Sequence, residues 1–180
     1  MLTPIDFISQ CRTCIASGGA PSDIASIVRE ALASQAAEPS LWTVDELMFR
    51  SEELLIVNLT LAPFTVSPVH DHGVWAVIGI SNGCEIEHFF EPTDNRLRAK
   101  GDLVVTSGQA VILPAETIHA ISNPLASTTR GLHVYGKDLV SAKRHMWDPE
   151  TGAQWDFDMT TFERWQDQLT SKAKSAHWTW

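Results

Sequence analysis

The sequence is short of positive charge: 13 Lys and Arg stand against 22 Asp and Glu, a formal net charge of −9, and the basic residues form no dense run. Phosphate backbones are bound by clustered Lys and Arg, so a nucleic-acid partner is not expected. Long hydrophobic runs are also missing. No stretch of about 18 apolar residues occurs, and Met1 to Ala20 lacks a basic flank ahead of an apolar segment. Neither a membrane span nor a secretory signal is therefore expected, and the chain reads as cytoplasmic. Cysteine is scarce, with only Cys11, Cys14 and Cys84, an odd number too small for a disulfide framework. The Cys11/Cys14 pair lies within an amphipathic helical pattern and no second pair follows it, so both read as packing residues rather than as a redox motif or half a zinc site. Tyrosine occurs once, at position 135, whereas histidine occurs seven times. At 180 residues and 44% hydrophobic, the chain is expected to form one globular domain with its own core.

Thr3, Pro4 and Asp6 form a helix start, with Ile8, Cys11 and Ile15 on one face. A second helix is expected from Ser22, with Ile24, Ile27, Val28, Ala31 and Leu32 at helical spacing. Beyond about residue 40 the period changes to two. Leu55, Val57, Leu59 and Leu61 alternate with Ile56, Asn58 and Thr60, and short strands are expected at 74–80, 85–90, 103–106, 110–113, 118–122 and 131–135. Turn chemistry separates them at Ser81-Asn82-Gly83, Thr93-Asp94-Asn95, Lys100-Gly101-Asp102 and Ser107-Gly108. Many short strands at this spacing indicate a barrel or sandwich. The chain then returns to helix, with Thr160 and Glu163 as a capping box and Phe162, Trp165 and Leu169 on one face. Five of the seven Trp (147, 155, 165, 178 and 180) fall in the last 34 residues, so this tail is expected to pack on the barrel.

His70 and His72 are one residue apart in an extended segment, which projects both side chains from one face. Two imidazoles so placed chelate a metal once a third ligand arrives from another strand. His119 is the best candidate, set in Gly108-x5-Pro114-x-Glu116-x2-His119-x3-Asn123. These two segments together resemble the paired motifs of the cupin superfamily, which implies a mainly β double-stranded β-helix (jelly-roll) barrel. Glu116 and Phe64 stand where that pattern usually has glycine. The pattern also commonly supplies a glutamate ligand four or five residues after the H-x-H pair. Here Ala76 and Val77 occupy those positions, and Glu85 and Glu87 lie too far along the chain to substitute easily. A three-histidine centre without a protein carboxylate is therefore expected. Three neutral imidazoles leave a divalent metal its full +2 charge, which favours an anionic ligand. His88, His145 and His177 read as structural.

The segments Pro68 to Gly79 and Gly131-Leu132-His133-Val134-Tyr135-Gly136 narrow the resemblance, over about residues 54–152, to the bacterial thiol dioxygenases, the cysteine and 3-mercaptopropionate dioxygenase group. That resemblance implies iron(II) held by His70, His72 and His119, with zinc or nickel as alternative occupants, and an oxygenation by O2 that turns a thiolate into a sulfinate. It also implies a Ser-x-His-x-Tyr triad beside the metal. His133 and Tyr135 match its last two members as candidate catalytic residues, with Gly131 in place of the serine. Arg144, nine residues after Tyr135, matches the arginine that binds a substrate carboxylate, a task suited to a planar guanidinium fork. No cysteine lies just after His72, so the Cys-Tyr crosslink of the animal-type enzymes is not expected.

Two other readings remain open at this point: a three-histidine dioxygenase of an enolate such as a β-diketone, and a non-catalytic cupin that binds a metal or small ligand. The expected organisation is one cupin domain over 1–180, with a helical N-terminal segment (1–40), a barrel (41–158) and a C-terminal helix and tail (159–180). The expected partners are a small anionic substrate and O2, with neither nucleic acid nor membrane, in a monomer or homodimer.

Overall fold

The structure, a computed structural model, describes residues 1–44, 46–93 and 96–175. Helix α1 (Pro4–Ala16) starts as expected: the Thr3 hydroxyl accepts the Asp6 N–H while the Asp6 carboxylate accepts the Thr3 N–H. Helix α2 (Pro21–Ala37) begins one residue before Ser22, where the Asp23 carboxylate accepts the Ala20 N–H at 2.8 Å. Phe7 and Cys11 of α1 join Ile24, Val28 and Leu32 of α2 in one core with Ile56, Val77, Leu132 and Val134, so the helices cover the outer face of a sheet. Cys11 and Cys14 are free thiols in this layer, and burial pushes Cys11 up to about 12, which makes it an inert packing residue.

Ten strands follow among the described residues: β1 (Leu47–Arg50), β2 (Leu55–Leu61), β3 (Ala76–Asn82), β4 (Cys84–Pro92), β5 (Leu97–Thr106), β6 (Ala110–Leu113), β7 (Ile118–Ser122), β8 (Thr129–Tyr135), β9 (His145–Trp147) and β10 (Gln154–Asp156). One sheet runs β1-β2-β8-β3-β6 and the other β5-β4-β7. The extended segment before β3 adds to the second sheet through bridges from Val66 to Ser122 and from His70 to His119. His70 also bridges Met146 of the β9–β10 ribbon. Paired this way, the strands form two facing antiparallel sheets in jelly-roll order, the double-stranded β-helix.

Three local expectations are corrected. Lys100-Gly101-Asp102 is no turn but the middle of β5, where Gly101 (φ 140°) accompanies a register shift opposite Phe89 and Phe90. The strand continues through it as a bulge. Asp158, not Thr160, caps α3 (Met159–Ser175), its carboxylate accepting the Thr161 N–H at 2.8 Å. His70 and His72 sit on a bridged extended segment rather than within a regular strand. Trp147 and Trp165 are buried and Trp155 stacks edge-on against Trp165, whereas Asp94, Asn95, His177, Trp178 and Trp180 lie outside the described residues. No described helix is long and apolar enough to cross a membrane.

Candidate metal centre

Backbone pairing assembles the histidines. His70 and His119 exchange both backbone hydrogen bonds across the bridge, at 2.8 and 2.9 Å, which aligns two extended segments far apart in sequence. Between the first two histidines, Asp71 turns away and anchors the segment to β9, accepting the His145 backbone N–H at 2.8 Å and pairing with His145 Nδ1 at 2.9 Å. Gly73 follows with φ 63°, and a Cβ there would stand 2.3 Å from the Lys143 carbonyl oxygen. Only glycine allows the chain to turn so close to the segment that carries Lys143 and Arg144 into β9. On the other side, the Asn123 amide donates to the carbonyls of Leu61, Ala62 and Ser127 and fixes the chain leaving His119. Phe64, at the position where the motif pattern usually has glycine, keeps a left-handed backbone with φ 61°.

His70, His72 and His119 are all buried, and one ring nitrogen of each lies within 4.8 Å of the others. His70 Nδ1 lies 3.0 Å from the Pro68 carbonyl and so carries the proton that it donates, leaving Nε2 free as a ligand atom. His119 Nε2 and His72 Nε2 stand 3.4 Å apart, the spacing of two imidazole nitrogens that share one ion at ~2.1 Å each. Burial drives the pKa values of His70 and His72 well below the usual imidazole value and that of His119 down to about 4. The three rings are therefore neutral near pH 7, as metal ligation requires. A three-nitrogen set of this kind fits a divalent first-row metal, and imidazole alone does not choose among iron, nickel, copper and zinc.

The group of ligand atoms contains the three histidines and no carboxylate, yet two acids stand close behind it. Glu85 and Glu87 do not lie apart from it; both point into the barrel and are wholly buried, and Glu87 Oε2 lies 2.5 Å from His119 Nδ1. The cause is register. Glu87 pairs with Ile121 and Phe89 with His119 across β4 and β7, so Glu85, Glu87 and His119 share the inner face. Spacing along the chain concealed this, although the alternation Glu85-Ile86-Glu87 places both acids on one side of any strand. Burial raises Glu85 well above the usual carboxylate value and Glu87 to about 8.

His133 and Tyr135 lie on the inner row of β8, with His133 Nδ1 3.3 Å from the Tyr135 hydroxyl and the Tyr135 ring 5.0 Å from that of His72. Burial lowers His133 to about 3 and raises the Tyr135 phenol, so the imidazole is neutral and the phenol keeps its proton. His133 Nε2 has no hydrogen-bond partner among the described residues and faces Glu85 Oε2 at 3.9 Å. Arg144 lines the same cavity, its guanidinium 3.4 Å above the Phe157 ring and without an ion pair to any described residue. The cavity, about 540 Å³, thus gathers His70, His72, His119, His133, Tyr135 and Arg144. His88 lies elsewhere, tied to Asp102 and Ser122 at 2.9 Å each, and His145 is bound to Asp71, both in structural roles.

No family model matches the sequence. Among solved structures the chain is similar to an uncharacterized conserved protein with a double-stranded β-helix domain from Klebsiella pneumoniae, at 12% identity over 57% of this chain and 77% of that one, with a TM-score of 0.47. It is also similar to an RmlC-like cupin family protein from Methanocaldococcus jannaschii, at 16% identity over 54% and 82%, with a TM-score of 0.44. A cupin superfamily protein from Desulfitobacterium hafniense aligns at 16% identity over 55% and 86%, with a TM-score of 0.43. The strand pairing of this chain is what establishes its jelly-roll architecture.

Proposed function

We propose that the protein is a non-haem iron(II) dioxygenase that adds both atoms of O2 to the sulfur of a carboxylate-bearing thiol, of the cysteine or 3-mercaptopropionate type, giving the sulfinate. The observation that carries this reading is the convergence of three buried, neutral imidazoles with a protonated phenol and an unpaired guanidinium on one cavity. Iron(II) held by the histidines supplies a site for the thiolate and for O2 activation. Arg144 binds the carboxylate; its stacking on Phe157 fixes the plane of the fork, and partial burial strengthens its pull on an anion. The His133 tautomer that suits this reading carries its proton on Nδ1, 3.3 Å from the Tyr135 hydroxyl. That N–H donates to the Tyr135 oxygen, which leaves the phenol's own proton free to point into the cavity. Phe157 and Phe162, in contact with each other at 5.1 Å, close the side toward α3 and limit water entry.

The test is anaerobic loading with iron(II), addition of carboxylate-bearing thiols, then admission of O2. Sulfinate formed mole for mole with O2 consumed supports the reading. Failure of every such thiol to yield sulfinate overturns it.

A further inference from the structure

The cavity is larger and more apolar than a three-carbon mercapto acid needs. Beside His133 and Tyr135, whose cross-strand partners are Val57 and Leu55, the residues Leu55, Val57, Leu59 and Leu61 of β2 form an inner wall with Ile78 and Ile121. Val57 and Leu59 remain only half-buried although they point into a barrel, because no other side chain fills the space in front of them. A packed barrel interior leaves no such apolar surface bare. The apolar character continues to the mouth, where Leu47, Val140 and Met159 line the same cavity and are 55%, 63% and 54% exposed. Large exposed apolar side chains gathered at one opening mark a binding surface. The acids that line the cavity are the buried Glu85 and Glu87 and the exposed Glu46 and Glu163. Of the two arginines lining the cavity, Arg50 is locked to Asp138 by paired 2.9 Å hydrogen bonds, and Arg144 is left for a ligand.

From this apolar wall and mouth we infer that, among carboxylate-bearing thiols, the site prefers a member with a bulky apolar body, an aryl or branched alkyl group several carbons beyond the chelating head, over the three-carbon members. The inference rests on the proposed function for where the anionic head binds. The head lies between the three histidines and Arg144, and the body runs along the β2 wall toward Leu47, Val140 and Met159. A volume of about 540 Å³ falls within the range of ~300–1,000 Å³ that encloses ligands of this size.

The experiment is a calorimetric titration of the full chain loaded with zinc, which binds ligand without consuming it. One series of ligands is acetate, hexanoate and 3-phenylpropionate; the second is mercaptoacetate and 2-mercapto-3-phenylpropionate. Affinity should rise by up to roughly fourfold for each methylene buried, with the phenyl compounds at least tenfold tighter than their short counterparts. Leu59→Trp, which fills the cavity, and Met159→Asp, an exposed change at the mouth that spares the fold, should each shrink that ratio to threefold or less. Equal affinity of short and bulky acids, or a ratio untouched by Met159→Asp, overturns the inference. The two readings fail separately: bulky acids that bind tightly without any thiol being oxygenated leave this inference standing and remove the dioxygenase, and short thiols that are oxygenated without any gain from bulk do the reverse.

Discussion

Glu87 Oε2 lies 2.5 Å from Nδ1 of His119, both groups wholly enclosed by the barrel. A carboxylate behind a ligating imidazole fixes the ring's tautomer and orientation and raises its basicity, so that Nε2 is presented to the ion. With a divalent ion at the three histidines, Glu87, raised to about 8 in the metal-free chain, would release its proton more readily and answer part of the ion's charge one shell out.

Removal of that support should weaken metal binding without emptying the ligand set. Glu87→Gln keeps an acceptor but cannot ionise when the ion binds and should lower zinc affinity by about tenfold, and Glu87→Ala by up to ~100-fold. Competition against a chromophoric chelator measures both. Affinity unchanged in Glu87→Ala would show that His119 is held by its strand alone.

Glu85 makes stability depend on pH. Burial raises its folded pKa well above the usual 4.5, so between 4.5 and that raised value the folded chain holds a proton that the unfolded chain has released. Stability of the metal-free protein should then fall as pH rises through this window. Glu85→Gln, neutral at every pH and nearly isosteric, removes this contribution. Denaturant midpoints at pH 5 and pH 9 should converge in the variant relative to the parent. Parallel pH dependence in the two proteins would place the coupling elsewhere.

Much of this centre was readable from local pattern. The one-residue spacing of His70 and His72, the proline-to-asparagine frame around His119 and the same-face pair His133 and Tyr135 each lie within a few residues, where backbone period alone decides orientation. Most of the strands followed from alternation and turn residues for the same reason. What escaped depended on pairing between distant strands. Glu85 and Glu87 enter the site only because β4 aligns with β7 so that Phe89 faces His119. Gly101 looks like a turn until β5 is seen running past it against β4. The short β9, which bridges His70 at Met146, has three residues and no alternation to announce it. Asp158 outcompetes Thr160 as the α3 cap because α3 starts at Met159, one residue after it.

Arg144 should act on binding and leave the metal alone. Arg144→Ala removes the cation of the cavity that has no partner carboxylate, and the loss of a charged hydrogen bond worth ~1.5–3 kcal/mol should raise KM for a carboxylate-bearing thiol roughly 10- to 100-fold. Arg144→Lys keeps the charge without the fork and should recover part of it. A thiol lacking the carboxylate should respond little to either change. An equal rise in KM for both kinds of thiol would assign Arg144 to the architecture of the mouth.

Gly131 occupies the position at which resemblance to the thiol dioxygenases implies a serine, and the packing around it explains the difference. A Cβ there would stand 2.8 Å from the Gly79 carbonyl oxygen on β3 and 3.2 Å from both His133 Nε2 and Ile80 Cδ1. The carbonyl belongs to the strand paired with β8, so it yields only if the sheet shifts. Gly131→Ser should therefore cost ~1–3 kcal/mol by overpacking, read as a lower denaturant midpoint at unchanged slope. Gly131→Ala, which adds the same Cβ without a hydroxyl, separates crowding from chemistry. If both variants lose stability alike, steric pressure from Gly79 sets the residue at 131. If the serine variant is as stable as the parent while the alanine variant is not, the hydroxyl has found His133 Nε2, which has no hydrogen-bond partner among the described residues, and that bond outweighs the crowding.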